Sequence, residues 1–172
     1  MTDPMPPMLI EAGELLADPR PVVFDCRFSL ADPGAGRALY LQGHIPGAHY
    51  LDLNRDLSGP LAVHGGRHPL PDPVDFAALL ARHGVGFQTA VVAYDDSRLA
   101  FASRLWWLLR SLGYRPPRLL NGGYQAWLAA GGRPDTSVPR PQPSARWPAT
   151  RGRCSASCRS TMIAFASPCS RM

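Results

Sequence analysis

Residues 89–113 read TAVVAYDDSRLAFASRLWWLLRSLG and join two different hydrophobic patterns. The apolar run 89–94, which two aspartates close, predicts a strand buried on both faces of a sheet. In residues 101–112 the apolar side chains recur three and four positions apart, which predicts a helix whose Arg104 and Arg110 face solvent. A buried strand that leads directly into a helix is typical of α/β domains.

The same alternation of strands and helices extends to both sides of this stretch. Asp72-Pro73 is a strong helix start, because Asp caps free N–H groups and Pro fits the first helical position. The pattern favours one α/β domain with a mostly parallel sheet flanked by helices, and sites in such sheets lie beyond the strands' carboxyl ends. Further strands are predicted at residues 21–25, 48–51 and 118–120, and further helices at residues 11–17, 72–84 and 124–130.

Length and composition exclude several classes of protein. The 172 residues are 45% apolar and 18% charged, which suits one folded domain and excludes a wholly disordered chain. No apolar run approaches the roughly 20 residues of a membrane-spanning helix, so we expect no membrane partner. The N-terminal residues show no signal-peptide pattern, and we therefore expect a cytoplasmic protein.

The net charge of +5 would suit a nucleic-acid partner, but the charge is unevenly placed. Residues 1–150 hold 14 arginines and 13 acidic residues, whereas residues 151–172 hold four arginines and no acidic residue. The basic character therefore belongs to the last 22 residues. We expect no nucleic-acid partner for the domain itself.

The C-terminal part differs in composition from the rest. We predict a domain at residues 1–133, a Pro-rich linker at residues 134–150 and an unstructured tail at residues 151–172. The abrupt change also fits translation of the tail out of frame. Its three cysteines have no His or acidic residue nearby and do not form a four-ligand zinc set, so we predict no metal site. These cysteines are Cys154, Cys158 and Cys169.

Residues 40–51 read YLQGHIPGAHYL and contain a turn and a histidine. Pro46 followed by Gly47 predicts a tight turn, because proline restricts φ and glycine permits positive φ. His44 is a candidate ligand or base. Because no acidic residue, cysteine or second histidine stands at ligand spacing, we favour a structural hydrogen-bonding role for it.

This segment resembles the first signature of the rhodanese and 3-mercaptopyruvate sulfurtransferase family. The resemblance extends over residues 9–147, through VVFDCR at 22–27, GRHPLP at 66–71 and LLNGGYQAW at 119–127. It implies a rhodanese-like fold and a structural role for the matching residues. These are Tyr40, His44, Pro46, Gly47, Asp25, Arg27, Gly122 and Gly123.

The resemblance also implies a reaction. Members of the family move sulfane sulfur from thiosulfate or 3-mercaptopyruvate to an acceptor, through a persulfide on a cysteine after a central strand, without a cofactor. The matching position here is Asp95, and a carboxylate cannot carry a persulfide. Cys26 follows a different strand and is predicted to pack in the core. Related phosphatases are excluded, because Phe101 stands where their loop has arginine.

Two functions agree with this pattern. The first is the N-terminal, non-catalytic domain of a two-domain sulfurtransferase, here truncated, inactive alone and lacking the catalytic second rhodanese domain that would be its partner. The second is a non-catalytic rhodanese-like interaction or regulatory module. Whether the chain is itself an enzyme stays open at this point. A lone half should expose apolar surface, with Trp106, Trp107 and Trp147 as candidates.

Overall fold

A computed structural model of the chain describes residues 7–140. The tail at residues 151–172 with its three cysteines, Trp147 and the linker after residue 140 lie outside the described residues, so the predicted boundaries stay predictions. In chain order the elements are β1 (Leu9–Ile10), α1 (Ala12–Ala17), β2 (Val22–Asp25), α2 (Ala35–Gln42), β3 (His49–Tyr50), α3 (Pro73–Arg82), β4 (Val91–Tyr94), α4 (Ala102–Ser111), β5 (Arg118–Leu120) and α5 (Gly123–Ala129).

The five strands form one parallel sheet in the order β1-β5-β4-β2-β3. The predicted α/β class with a parallel sheet is therefore confirmed. β4 lies at the centre and all four of its residues are buried, as expected for a continuous apolar run. Asp25 at the end of β2 stands opposite Tyr94 at the end of β4, so their side chains meet at the carboxyl edge of the sheet.

Each face of the sheet has its own apolar core. On one face, α3 and α4 pack on Phe24, Val91 and Ala93. On the other face, α1 and α5 pack on Val23 and Val92. Because side chains alternate between the faces of a strand, consecutive residues of β2 and β4 supply both cores.

The cap predicted for α3 is confirmed. One carboxylate oxygen of Asp72 accepts from the backbone N–H groups of Val74 and Asp75, at 2.8 and 3.2 Å, and Pro73 opens the helix. These bonds satisfy two N–H groups that lack partners within the helix. Within residues 7–140, no helix is long and apolar enough to cross a membrane.

α2 and β1 were not predicted from the sequence. α2 buries only Gly36 and Tyr40, so its apolar stripe is too narrow to show helical periodicity. Gly36 is required there, because a Cβ at this position would lie 2.0 Å from the carbonyl oxygen of Arg27. β1 has only two residues, which is too short to show an alternating pattern.

The prediction that Arg104 faces solvent is wrong. Its Nε donates to the carbonyl oxygen of Leu57 at 2.8 Å, and its Nη2 donates to those of His68 and Pro69, each at 2.9 Å. Arg104 thus pins the long connection between β3 and α3 to α4. Of the two predicted exposed tryptophans that are described, Trp107 is exposed, whereas Trp106 is half-buried against the core.

A pair of histidines lies between β3 and the end of α3. The rings of His49 and His83 are 4.5 Å apart, and His83 also packs edge-on against Phe24. Burial, together with smaller contributions from the charges of His49 and Arg82, lowers the pKa of His83 to about 4. His83 is therefore neutral in the folded domain at pH values where an unfolded chain would protonate it.

We expect the free energy of unfolding to decrease as the pH falls from about 6.5 towards 4. In this range His83 binds a proton in the unfolded chain but not in the folded domain, so protonation favours the unfolded state. Replacing His83 with Gln should remove on the order of 1–2 kcal/mol of this loss, after allowance for solvent screening. Urea unfolding at several pH values measures it. His64→Gln, in an exposed loop, is the control. An unchanged pH profile in His83→Gln would contradict the expectation.

Candidate functional site

The loop between β4 and α4 surrounds a carboxylate. Asp95 directly follows the central strand and is 1% exposed. Its Oδ1 accepts from the N–H groups of Ser97 and Leu99, both at 2.9 Å. Its Oδ2 accepts from the N–H groups of Phe101 and Ala102 at 2.9 and 3.0 Å. Four backbone amides therefore converge on one anion.

The backbone conformation of this loop turns its amides inward. Arg98 and Leu99 have φ angles of 56° and 67°, a left-handed conformation that costs energy for residues other than glycine. A loop in which successive N–H groups point to one centre forms a concave anion-binding site, and the first turn of α4 adds its positive end. The carboxylate of Asp95 occupies that centre.

The Gly122-Gly123 pair closes the other side of the loop. A Cβ at Gly123 would lie 2.1 Å from the carbonyl oxygen of Asp95, so only glycine permits this approach. Tyr124 N–H donates to the same carbonyl at 3.2 Å. Gly122 and Gly123 have φ angles of 71° and 60°. The glycine motif thus brings α5 against the loop between β4 and α4.

Asp25 and Arg27 form a buried ion pair beside the loop. Arg27 Nη2 lies 2.6 Å from Asp25 Oδ2 and also donates to the carbonyl oxygen of Gly43 at 2.7 Å. The hydroxyl of Tyr94 donates to Asp25 Oδ2 at 2.8 Å, and the guanidinium lies 4.3 Å from the centre of the Tyr124 ring. Burial, reinforced by the charge of Asp25, raises the pKa of Tyr94, so its hydroxyl keeps the proton that it donates.

The histidine motif lies at the end of α2. His44 is fully buried and stacks on Tyr40 with ring centres 3.9 Å apart. The hydroxyl of Tyr40 donates to the carbonyl oxygen of Ala48 at 2.8 Å, and burial raises its pKa to about 12. Pro46 and Gly47 lie in an exposed turn, where Gly47 has a φ of 76°. The structure thus places His44 in hydrogen bonds within the domain.

Cys26 packs in the core as predicted. It is 1% exposed and belongs to the apolar cluster under α3 and α4. Burial raises the pKa of its thiol well above the ordinary value, and the charges of Asp25 and Asp95 add to this effect. A thiol in that state has little thiolate and no access to a sulfur donor.

An exposed groove lies next to the loop. It has a volume of about 440 Å³, and its walls include Phe28, Leu30, Leu39 and Phe101. Phe28 and Phe101 contact edge-on with ring centres 5.5 Å apart, and Leu30 is 70% exposed. We call this the strand-end groove.

The sequence motifs thus meet at one edge of the sheet. Which four groups bind Asp95 could not be identified from the sequence, because they are backbone amides and carry no residue-type signal. Within residues 7–140, no group of three or more His, Cys, Asp or Glu side chains is arranged to hold a metal ion.

The sequence matches the model of the rhodanese-like domain over residues 9–130. A Pseudomonas aeruginosa protein named as a probable 3-mercaptopyruvate sulfurtransferase is 52% identical over 118 residues, which cover 67% of this chain and 42% of the relative. The bovine thiosulfate sulfurtransferase is 39% identical over 113 residues, which cover 63% and 36%. This chain thus spans less than half the length of these curated relatives.

Two solved structures that this domain resembles have names of the same kind as these relatives. The 3-mercaptopyruvate sulfurtransferase from Leishmania major is 31% identical with a TM-score of 0.77, and the match covers 86% of this chain and 41% of that one. The enzyme from Escherichia coli is 29% identical with a TM-score of 0.68, and the match covers 80% and 53%. The structural comparison and the sequence comparison therefore point to the same family.

Replacing Asp95 with Asn should destabilise the domain by about 2–4 kcal/mol. The substitution removes the negative charge to which four backbone N–H groups donate, and it turns the NH2 group of Asn towards two of these same donors. Urea unfolding measures the change. The matched control is Asp96→Asn, at an exposed neighbour, which should cost less than about 0.5 kcal/mol. Equal stability of the two variants would show that the amides do not depend on the carboxylate.

Proposed function

The chain belongs to the rhodanese-like domain family, and from that premise we propose that it acts as the N-terminal, non-catalytic domain of a two-domain sulfurtransferase. In this role it transfers no sulfur itself. It supports and partly walls the active site of a second rhodanese domain that carries the persulfide cysteine. The names of its relatives point to thiosulfate or 3-mercaptopyruvate as the sulfur donor.

This proposal rests on one observation, that the carboxylate of Asp95 fills the amide-lined loop between β4 and α4. In an active rhodanese-like domain the loop after the central strand stabilises an anionic sulfur, and the same kind of loop here holds the carboxylate of Asp95. Because these four amides already have an acceptor in Asp95, they are not free to bind an anionic substrate. The loop keeps its shape with its own side chain in place of the sulfur.

The chemistry of the available groups supports the same conclusion. A persulfide forms when a thiolate attacks the outer sulfur of thiosulfate, whose sulfur–sulfur bond then breaks as sulfite leaves with the electron pair. A carboxylate oxygen cannot form that sulfur–sulfur bond. Cys26 is the only cysteine among the described residues, and its raised pKa and full burial keep it unreactive.

The strand-end groove is where we place the second domain. Its apolar side chains lie at the carboxyl edge of the sheet, beside the loop, and Leu30 projects from it. Exposed apolar surface of this kind marks contact with another protein unit. The relatives are more than twice as long as the part they share with this chain, which leaves room for such a domain in them.

The alternative is a rhodanese-like interaction or regulatory module, which equally needs no cysteine. It differs in its partner, which would be an unrelated protein instead of a catalytic rhodanese domain. A cytoplasmic location stays a prediction under both functions.

The full chain should show no thiosulfate:cyanide sulfur transfer above the uncatalysed rate, because no described thiol is accessible. Thiocyanate formation measures it, with 3-mercaptopyruvate as a second donor. Cys26→Ser should behave like the unchanged protein. Turnover that Cys26→Ser abolishes would overturn the proposal.

Adding a separately produced catalytic rhodanese domain from the Pseudomonas aeruginosa relative should give a complex and raise its rate of sulfur transfer. Leu30→Glu should weaken that binding at least about tenfold, because it places a charge in the apolar groove. Val74→Glu, at a similarly exposed residue outside the groove, is the matched control and should bind normally. Absence of any rate increase would favour the interaction module, whereas equal binding by both variants would show that the second domain does not contact the groove.

A further inference from the structure

The connection between β3 and α3 contains a loop whose base is tied to α4. We call residues 57–70 the clamped loop and residues 60–67 its tip. Arg104 Nε donates to the carbonyl oxygen of Leu57 on one leg of the loop at 2.8 Å. Its Nη2 donates to two carbonyl oxygens on the other leg, each at 2.9 Å. One guanidinium therefore holds both legs against the first turn of α4.

The two legs of the clamped loop also contact each other. Gly59 N–H donates to the carbonyl oxygen of Pro69 at 3.1 Å. A Cβ at Gly59 would lie 2.6 Å from the carbonyl oxygen of Leu70, so the legs can approach this closely only with glycine here. Within residues 7–140, no carboxylate lies within 4.0 Å of Arg104, so its N–H groups serve the loop and not an ion pair.

The tip of the clamped loop presents two aliphatic side chains to solvent. Every residue of the tip is exposed, and the exposed fractions of Leu61 and Val63 are 76% and 95%. Neither apolar core of the described domain contains a tip residue, so the fold itself does not use these side chains. An apolar tip on a fixed base favours contact with another protein unit, because binding then orders little additional chain.

The clamped loop lies at the carboxyl edge of the sheet, close to the strand-end groove. The connection that contains it follows β3, and α4 begins directly after the loop that holds Asp95, so the first turn of α4 lies at this edge. Arg104 N–H donates to the carbonyl oxygen of Phe101 at 3.1 Å, and Phe101 is a wall of the groove. The clamp and the groove are therefore one helical turn apart.

The chain leaves the domain at the same edge. The backbone of Asp135 exchanges two hydrogen bonds of 2.9 Å with that of His44. The N–H of the next residue, Ile45, donates to the hydroxyl of Tyr94 at 3.3 Å, and Tyr94 ends the central strand β4. His44 and Ile45 lie on the face of the sheet that packs on α5, whereas the clamped loop lies on the face that packs on α4.

We propose that the tip of the clamped loop is a second contact for the catalytic rhodanese domain, in addition to the groove. This inference rests on the proposed function. A domain seated on the carboxyl edge lies between the point where the chain leaves and the clamped loop, and Leu61 and Val63 then pack on its apolar surface. The matched segments cover 42% and 36% of two relatives, which leaves more than half of each relative for such a domain.

The test measures binding of the full chain to the separately produced catalytic rhodanese domain of the Pseudomonas aeruginosa relative. Leu61→Glu and Val63→Glu should each weaken binding at least about tenfold, because a charge then enters an apolar contact. Val74→Glu is the matched control, because Val74 is 74% exposed and lies outside the clamped loop, and it should bind normally. In the unchanged chain, the tip amides should exchange hydrogen about tenfold more slowly when the domain is bound.

Normal binding by both tip variants, with Leu30→Glu still weakened, would overturn the tip contact and leave the proposed function standing. Absence of any complex with the unchanged chain would overturn the proposed function and this inference together. Self-association of the chain that Val63→Glu abolishes would assign the tip to a second copy instead. If the tip variants do not fold, hydrogen exchange in the unchanged chain decides: slower exchange at the tip supports the contact, and unchanged exchange overturns it.

Discussion

The carboxylate of Asp25 connects four elements that are distant in sequence. It bonds Arg27 and the hydroxyl of Tyr94, and Arg27 reaches the end of α2 at Gly43 and the ring of Tyr124 on α5. All of these groups are shielded from solvent, so the charge of Asp25 and the charge of Arg27 each need the other as a partner. Removing one partner of such a pair costs about 3–5 kcal/mol, because the remaining charge stays buried. The carboxyl edge of the sheet is thus held by one short polar network.

The loop between β4 and α4, which contains Asp95, lies at this edge of the sheet. The Gly122-Gly123 turn approaches Asp95 because Gly123 has no Cβ, and the adjacent Tyr124 lies against Arg27, so this approach sets one wall of the loop. The loop therefore keeps its amide-lined shape without needing a sulfur atom. A domain of this kind can lose or lack the reactive residue and still fold, because its stability and its chemistry rest on different groups. The supporting role that we propose for this domain depends on this separation.

Much of the fold could be predicted from the sequence, and the reason lies in particular residues. The run before Asp95 is apolar throughout, and the Asp72-Pro73 start depends only on local geometry, so both were found. α2 was missed because its burial rests on Gly36, whose role depends on a carbonyl of the distant Arg27. Arg104 was assigned to solvent because its partners are carbonyl oxygens of a loop that sequence periodicity cannot place.

The sequence by itself determined the α/β class, the order of the motifs and the absence of a cysteine after the central strand, because these follow from residue type and spacing. Only the tertiary structure decided which amides bind Asp95 and which carbonyl oxygens the ring of His44 contacts. Each of these depends on backbone N–H and C=O groups from separate parts of the chain. Such groups are the same in every residue except proline, so only the folded arrangement shows where they meet.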